Sequence, residues 1–512
     1  MIALFELFLA RRSRLSIMKS MLPELKSLPK SVARALKTAL CACALGVTLV
    51  GFVHGGSSHD LPVLGDASSS LISPEMERRI GQQFLKQLHA SLPTISDPLL
   101  KYYISSSLAD LAQHSELRDK LLEVIVIDSE DINAFAAPGG VVGINLGLML
   151  SAEDVHEYSS VLAHELAHLS QRHFARGVEE QRAQTLPTIA SLIAAIMVGV
   201  LGGGDAGIAA ISASQAMAQS SQLKYSRTRE QEADRVGLNT MAQANLDPNG
   251  MSRMFERMQR AYRFSRRPPE FLLTHPLSEA RIADAKLQAQ AYGVHRYEDS
   301  LDYALMRNRA IIHYMDTPQD AVKEYEQEVR DDPESVAARY GLAIALSRAG
   351  EHAQALAIGD ALFTENPRKI LYIAALGEFL IAAEKYDQAE KLLSHNLAIN
   401  PDNAPLAMLY ADALTKTGDF AAAEAVLTRQ SLVRPEDVDV WYDLAEVSGL
   451  AGNVIGVHRS RAEYYALHGA YQQAIQHLEY ARRLADRNNS PLVARLDQRI
   501  VDFQTALRIA RS

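Results

Sequence analysis

The chain has 512 residues, 48% hydrophobic and 22% charged, a globular composition that excludes a disordered or fibrous protein. Its formal charge of −9 is uneven: residues 1–55 carry eight Lys/Arg against Glu6 and Glu24, leaving 44 basic and 59 acidic side chains on the remainder. So acidic a body argues against a nucleic-acid partner, and with Cys41 and Cys43 the only cysteines, the chain beyond them has neither a disulfide framework nor a thiol nucleophile.

Residues 1–55 read as a signal peptide. The basic leader, in which Met18 and Met21 are alternative starts, runs into TALCACALGVTLVGFVHGG. Its apolar stretch is shorter than the ~20 residues a membrane span needs, and small and polar residues follow. Cleavage after Gly55 or Ala67 fits this pattern. Residues 56–74 are rich in Ser, Gly and Pro and read as a linker.

Residues 75–300 form a second region, mainly of helical periodicity and interrupted by EVIVIDSEDINAFAAPGGVVGINLGLM. Val124–Ile127 and Gly140–Asn145 are predicted strands, joined by a turn at Ala137-Pro138-Gly139-Gly140. The expected fold is mainly α with a small β-sheet, an α+β domain carrying an HExxH helix. Further on, LPTIASLIAAIMVGVLGGG (186–204) is mostly apolar, but Pro187 and the closing glycines weaken a span; a helix packed on the domain or touching a membrane surface is expected.

The helix after the second strand, YSSVLAHELAHLSQRH, carries the chemistry. His164 and His168, four residues apart, point the same way on a helix, and both imidazoles can meet one ion. Glu165 is turned by about 100° and can reach a water there without being a ligand. Three ionisable groups inside an apolar helix are costly to bury without a task. His173, nine residues from His164, falls about 180° round a continuous helix and is no third ligand. In YSRTREQEADRVG, Glu230 and Asp234 share a face one turn apart, which suits a zinc-binding carboxylate and an Asp orienting a ligating His. Glu232 is turned by about 200° from Glu230, toward solvent.

The last region is periodic. Pro333, Pro367, Pro401 and Pro435 recur at 34-residue steps, as do Ala321, Ala355, Ala389 and Ala423, and the turn positions Gly350, Glu384, Gly418 and Gly452. A helix–turn–helix unit needs small residues where its helices touch and a Gly where the turn demands it. Residues 305–512 thus resemble a tetratricopeptide-repeat solenoid, an all-α array with a curved protein-binding surface. After Gly452 the period breaks, with Val457 in place of Ala and a turn at LHGAYQQA, which predicts a bent or capping helical pair.

His164, Glu165 and His168, the E-x-x-x-D of Glu230–Asp234, THPLSEARIAD from Thr274 and NAFAAPGGVVGINLGL together resemble the HtpX and CAAX-prenyl-protease family of zinc metallopeptidases. Its soluble exported branch joins the catalytic domain to C-terminal tetratricopeptide repeats, and the likeness covers about residues 75–512. It implies one Zn²⁺ held by His164, His168 and Glu230, with Glu165 polarising the attacking water and Asp234 supporting the ligands. It also implies His275 as a regulatory fourth ligand on a loop over the site. Arg281 would pair with a nearby acid or stabilise the oxyanion, and substrate would add as a strand along Gly140, Val141, Val142, Gly143, Ile144 and Asn145. The branch implies a periplasmic endopeptidase and chaperone acting on unfolded or stalled outer-membrane β-barrel proteins, whose repeats dock on the assembly machinery. The competing reading is a repeat-based chaperone or adaptor with silent or rare proteolysis; the intact Glu165 argues against a pure binding module.

Overall fold

The computed structural model describes residues 72–180, 193, 197, 227–264, 269–293, 295–485 and 490–511. The predicted signal peptide and most of the linker lie outside them. So does most of the apolar stretch 186–204, of which Ile193 and Met197 are described, both helical and buried in one apolar cluster with Phe84 and Phe135. Among the described residues no helix is long and apolar enough to cross a membrane.

Two capped helices open the N-terminal half of the described chain. Helix α1 (Pro74–Ser91) starts at Ser73, whose hydroxyl accepts from the Met76 amide, and α2 (Pro98–Gln113) at Asp97, whose carboxylate accepts from Leu99 and Leu100. Both place proline first, where its missing N–H costs nothing. Ile80, Phe84 and Leu88 on α1 and Leu100, Ile104, Leu108 and Leu111 on α2 are buried at helical spacing.

The sheet has one strand more than the sequence predicted. Strands β1 (Glu123–Ile127), β2 (Ala134–Ala137) and β3 (Val141–Asn145) lie in the order β1-β3-β2. β1 runs parallel to β3, with Val124 opposite Val142, and β2 antiparallel to it, with Ala136 opposite Val142. The turn at Pro138–Gly140 therefore joins β2 to β3, not β1 to β3.

After the short α3 (Gly147–Ser151) comes α4 (Val155–Ser170), capped by Asp154 and buried from Val155 to His168. Such a helix runs through the middle of the domain, flanked by α2, β2, α6 (Arg227–Gln243) and α7 (Asn249–Phe264). Gly237 sets the approach of α6 to α4: a Cβ there would sit 3.2 Å from the His164 amide nitrogen. Helix α5 (His173–Glu180) follows a break at Arg172, which has φ 51°. Helices α8 (Glu270–Thr274) and α9 (Glu279–Gln290) complete this half.

Helix α10 (Leu301–Tyr314) bolts the repeats to it: the Tyr303 hydroxyl and Arg307 Nε each donate to the Ala152 carbonyl at 2.9 Å. Helices α11 (Pro318–Asp331), α13 (His352–Glu365), α15 (Tyr386–Ile399), α17 (Phe420–Val433) and α19 (Val454–Leu467) begin at 34-residue steps. Their partners are α12 (Val336–Arg348), α14 (Ile370–Ala382), α16 (Ala404–Thr417) and α18 (Val438–Leu450). Ala321, Ala355, Ala389 and Ala423 are fully buried at the helix contacts. All four turn positions have positive φ: Gly350, Gly418 and Gly452 at 84°, 88° and 75°, and Glu384 at 56°. The period ends with α20 (Tyr471–Leu484) and α21 (Ser490–Arg511), a closing pair with its own apolar cluster around Leu478 and Phe503.

The solenoid also touches the first two helices of the N-terminal half. Lys101 of α2 reaches Asp437 at 2.7 Å and Asp439 at 2.6 Å, and Lys86 of α1 donates to the Tyr471 hydroxyl at 2.8 Å. Buried Arg309 of α10 adds a further tie, joining Asp97 to Glu378 on α14, both at 2.5 Å.

Candidate metal centre

One donor atom each from His164, His168, Glu230 and His275 lie within 4.8 Å of one another, and all four residues are buried. His164 Nε2 is 3.0 Å from His168 Nε2 and 3.3 Å from His275 Nδ1. The Glu230 oxygens lie 3.5 Å from each of His164 and His168 and 3.2 Å from His275. A tetrahedral N/O shell with bonds of about 2.0–2.2 Å needs donors about 3.3–3.6 Å apart, so the set fits a small divalent ion with little movement.

Glu165 supports the same reading. It is fully buried, with neither oxygen in good hydrogen-bond geometry to any described group, although His275 Nε2 comes within 3.4 Å. Burial raises its pKa; the charges of His275 and His164 and the nearby Ala136 amide act in the opposite direction.

The surroundings hold these donors in place. Burial works against a charge on His164, but Asp234, with an oxygen 3.0 Å from Nδ1, and Glu230 raise it to about 9. His168 is pushed well down, by burial first and then by the neighbouring His164. Burial also opposes ionisation of Glu230, which the histidines overcome to hold its pKa well below the usual range. Arg281 grips Asp234 with two hydrogen bonds of 2.8 and 2.7 Å, lies 2.7 Å from Glu230, and donates to the Pro276 carbonyl at 2.9 Å. A single guanidinium therefore ties the α6 carboxylates to the loop bearing His275. That loop is anchored a second time: the Phe271 amide donates to the Ile132 carbonyl at 3.2 Å, and the Phe271 ring stacks on His275 at 4.5 Å.

The profile of peptidase family M48 matches residues 98–289, and tetratricopeptide-repeat profiles match 314–368 and 380–447. The beta-barrel assembly-enhancing protease of Escherichia coli K12 is 30% identical over 91% of this chain and 97% of its own length. A Vibrio cholerae protein given the same name provisionally is 33% identical over 92% of this chain and 99% of its own. The chain belongs to peptidase family M48. It is a metallopeptidase with a repeat domain. The mitochondrial metalloendopeptidase OMA1 of Schizosaccharomyces pombe is 30% identical over 41% of this chain and 60% of its own, a match far shorter than those of the two bacterial proteins.

Within this peptidase the structure corrects the sequence reading at two places. Gly140–Asn145 is not an edge: β3 is paired on both sides, by β1 and β2, and Val141–Asn145 are all buried. The edge beside α4 belongs to β2. Since Asn133 accepts from the Asn145 amide, alternation turns Ala136 outward, toward Glu165.

The second concerns where His173 and Glu232 lie, not whether His173 is a ligand, since the four-residue donor group does not include it. His173 is fully buried, its Nδ1 2.8 Å from His168 Nδ1, and its Nε2 lies 3.1 Å from Glu232, which also holds Arg176 at 3.0 Å. The 180° argument assumed one continuous helix, whereas the break at Arg172 turns His173 back. Arg172 fixes that break by bonding Glu77 at 3.1 Å and the Ile72 carbonyl at 2.8 Å.

Proposed function

We propose that this metallopeptidase is a zinc endopeptidase in which His164, His168 and Glu230 hold the metal, Glu165 is the general base and Asp234 and Arg281 are positioning residues. The convergence of His164, His168 and Glu230 beside a fully buried Glu165 carries the reading. Bound Zn²⁺ supplies a Lewis acid and lowers the pKa of water to about 7. The client lies as a strand along the outer edge of β2, backbone to backbone, which brings a scissile carbonyl over Glu165. Glu165 takes a proton from water as its oxygen adds to the carbonyl carbon, then passes that proton to the leaving nitrogen as the C–N bond breaks. Asp234 fixes the His164 ring, and Arg281 keeps Asp234 and Glu230 ionised and in place.

His275 is the regulatory element in this proposal: as a fourth ligand it keeps the enzyme latent until its loop moves. Its place among the ligands also favours a second mode, in which clients bound to the repeats are assisted rather than cut. Residues 75–300 then form the catalytic domain, residues 305–512 the docking domain, and the work is done in the periplasm after export. The bacterial relatives' names point to β-barrel proteins and their assembly, and outer-membrane β-barrel clients with an assembly machinery as partner extend that reading.

Casein degradation by the purified chain, beside Glu165→Gln and His275→Ala, tests this. Cleavage is abolished in Glu165→Gln and rises in His275→Ala; equal rates for wild type and His275→Ala would remove the latch.

A further inference from the structure

The sheet has a second edge. On β1, the Ile95 amide donates to the Val126 carbonyl at 3.1 Å and the Asp128 amide to the Pro93 carbonyl at 3.0 Å, so Val126 and Asp128 face away from β3. Alternation turns Val124 the same way. At that level the neighbouring chain has left the sheet, because Asp97 caps α2, and among the described residues none pairs with Val124 on that side.

Val124 faces a cavity of about 490 Å³ between β1, α2 and the repeat loop at Val433–Val438, within the ~300–1,000 Å³ range of binding sites. Leu122, Ile95, Val433 and Pro435 give it a mostly apolar lining; of the cations that also line it, Lys101 and Arg434 are paired with Asp437, and Lys120 is bonded to the Ala112 and Ser115 carbonyls. Leu121, 82% exposed, stands at the cavity, and Leu432, 78% exposed, adjoins Val433; these are the two most exposed large apolar side chains among the described residues. Glu123 and Glu436 both line it, and burial followed by the Glu436 charge raises the pKa of Glu123.

We propose that this groove holds an extended segment of a client polypeptide, paired with the outer edge of β1 at Val124, short of the stretch that Pro93–Ile95 covers, with apolar side chains at alternate positions and a basic residue beside Glu123 and Glu436. A free strand edge pairs with extended backbone and not with a helix or a small apolar molecule. The lining takes every second side chain, and the facing carboxylates favour a cation. The groove is separate from the catalytic edge: β1 and β2 lie on opposite sides of β3, about 10 Å apart. A client held here touches both the catalytic sheet and the repeats, which retains it without presenting it to Glu165. The site deepens the client-handling reading and does not depend on catalysis.

The probe is a fluorescein-labelled peptide, Lys-Val-Thr-Val-Thr-Val, titrated by anisotropy against the full chain carrying Glu165→Gln. Saturable binding is expected. It weakens about tenfold with Leu121→Asp plus Val433→Asp, and equally when the valine amides of the peptide are N-methylated. Glu436→Lys, an exposed change that spares the fold, weakens the Lys-led peptide but not a Glu-led one. No binding, unchanged affinity in the double variant, or indifference to N-methylation would overturn the proposal. Failure of the zinc-peptidase reading would leave this assay unchanged, since nothing in it is cleaved.

Discussion

The two halves of the molecule use charge in opposite ways. The catalytic half buries it: His164, Glu165, His168, Glu230, Asp234, His275 and Arg281 are each no more than 3% exposed and are gathered at one point. The repeat half keeps most of its charge outside and packs Ala, Gly and Leu at a fixed period. Where charge is buried, one residue decides function; where small side chains pack in series, the load is shared between neighbours. Arg309, buried at the junction of the halves, belongs by its chemistry to the first pattern.

Four substitutions probe that contrast, the largest effect first. Glu165→Gln removes the proposed base without changing the shape of α4. Casein cleavage should fall by about 10²–10⁴-fold while the melting temperature stays put; a proportionate loss of fold would mean the two roles are not separable. Arg309→Met leaves Asp97 and Glu378 facing each other at the junction. Removing one partner of a buried ion pair costs about 3–5 kcal/mol, and the partial exposure of these carboxylates places this case at the lower end, read as a drop in the urea midpoint.

The third is a pH effect at the seam between α1 and the repeats. His89 is pushed down to about 4, by burial first and then by His468 and Lys101. Folded His89 is therefore neutral where the unfolded chain, with its ordinary value near 6.5, takes up a proton. Its contribution is complete above pH 6.5 and is lost as pH falls toward 4. Asp443, raised to about 6 by burial and neighbouring aspartates, works in the opposite sense as pH falls, so the difference between wild type and His89→Phe isolates the histidine. The advantage of His89→Phe in urea midpoint should grow between pH 6.5 and 4; a constant difference would contradict this.

The smallest effect belongs to the repeat turns. Glu384 holds a left-handed conformation that glycine fills at Gly350, Gly418 and Gly452. Glu384→Gly should stabilise the chain by about 1 kcal/mol in thermal melts, the strain relieved less the added flexibility of the unfolded chain.

The features legible in the sequence were those set by local spacing. The histidines of HELAH and the carboxylates of Glu230 and Asp234 lie one helical turn apart, and the repeats declare their period through Pro, Ala and turn positions. Features that depend on how distant segments meet were not legible. AFAA is too short and too weakly patterned to announce β2, and without β2 the strand Gly140–Asn145 looked like an edge. The buried place of His173 beside His168 is not legible because nothing in LSQRHF marks a helix break; Arg172 makes one through Glu77 and Ile72, far back in the chain. The groove on β1 exists because the repeats return to α2 through Lys101, a contact that spans 336 positions in sequence.

The central claim, that His164, His168 and Glu230 hold the metal on which Glu165 depends, is tested most directly by zinc content in purified Glu165→Gln and Glu230→Ala chains. About one zinc per chain retained in Glu165→Gln, and its loss from Glu230→Ala, is the predicted result. Full zinc in Glu230→Ala would contradict the assignment and place the third ligand elsewhere.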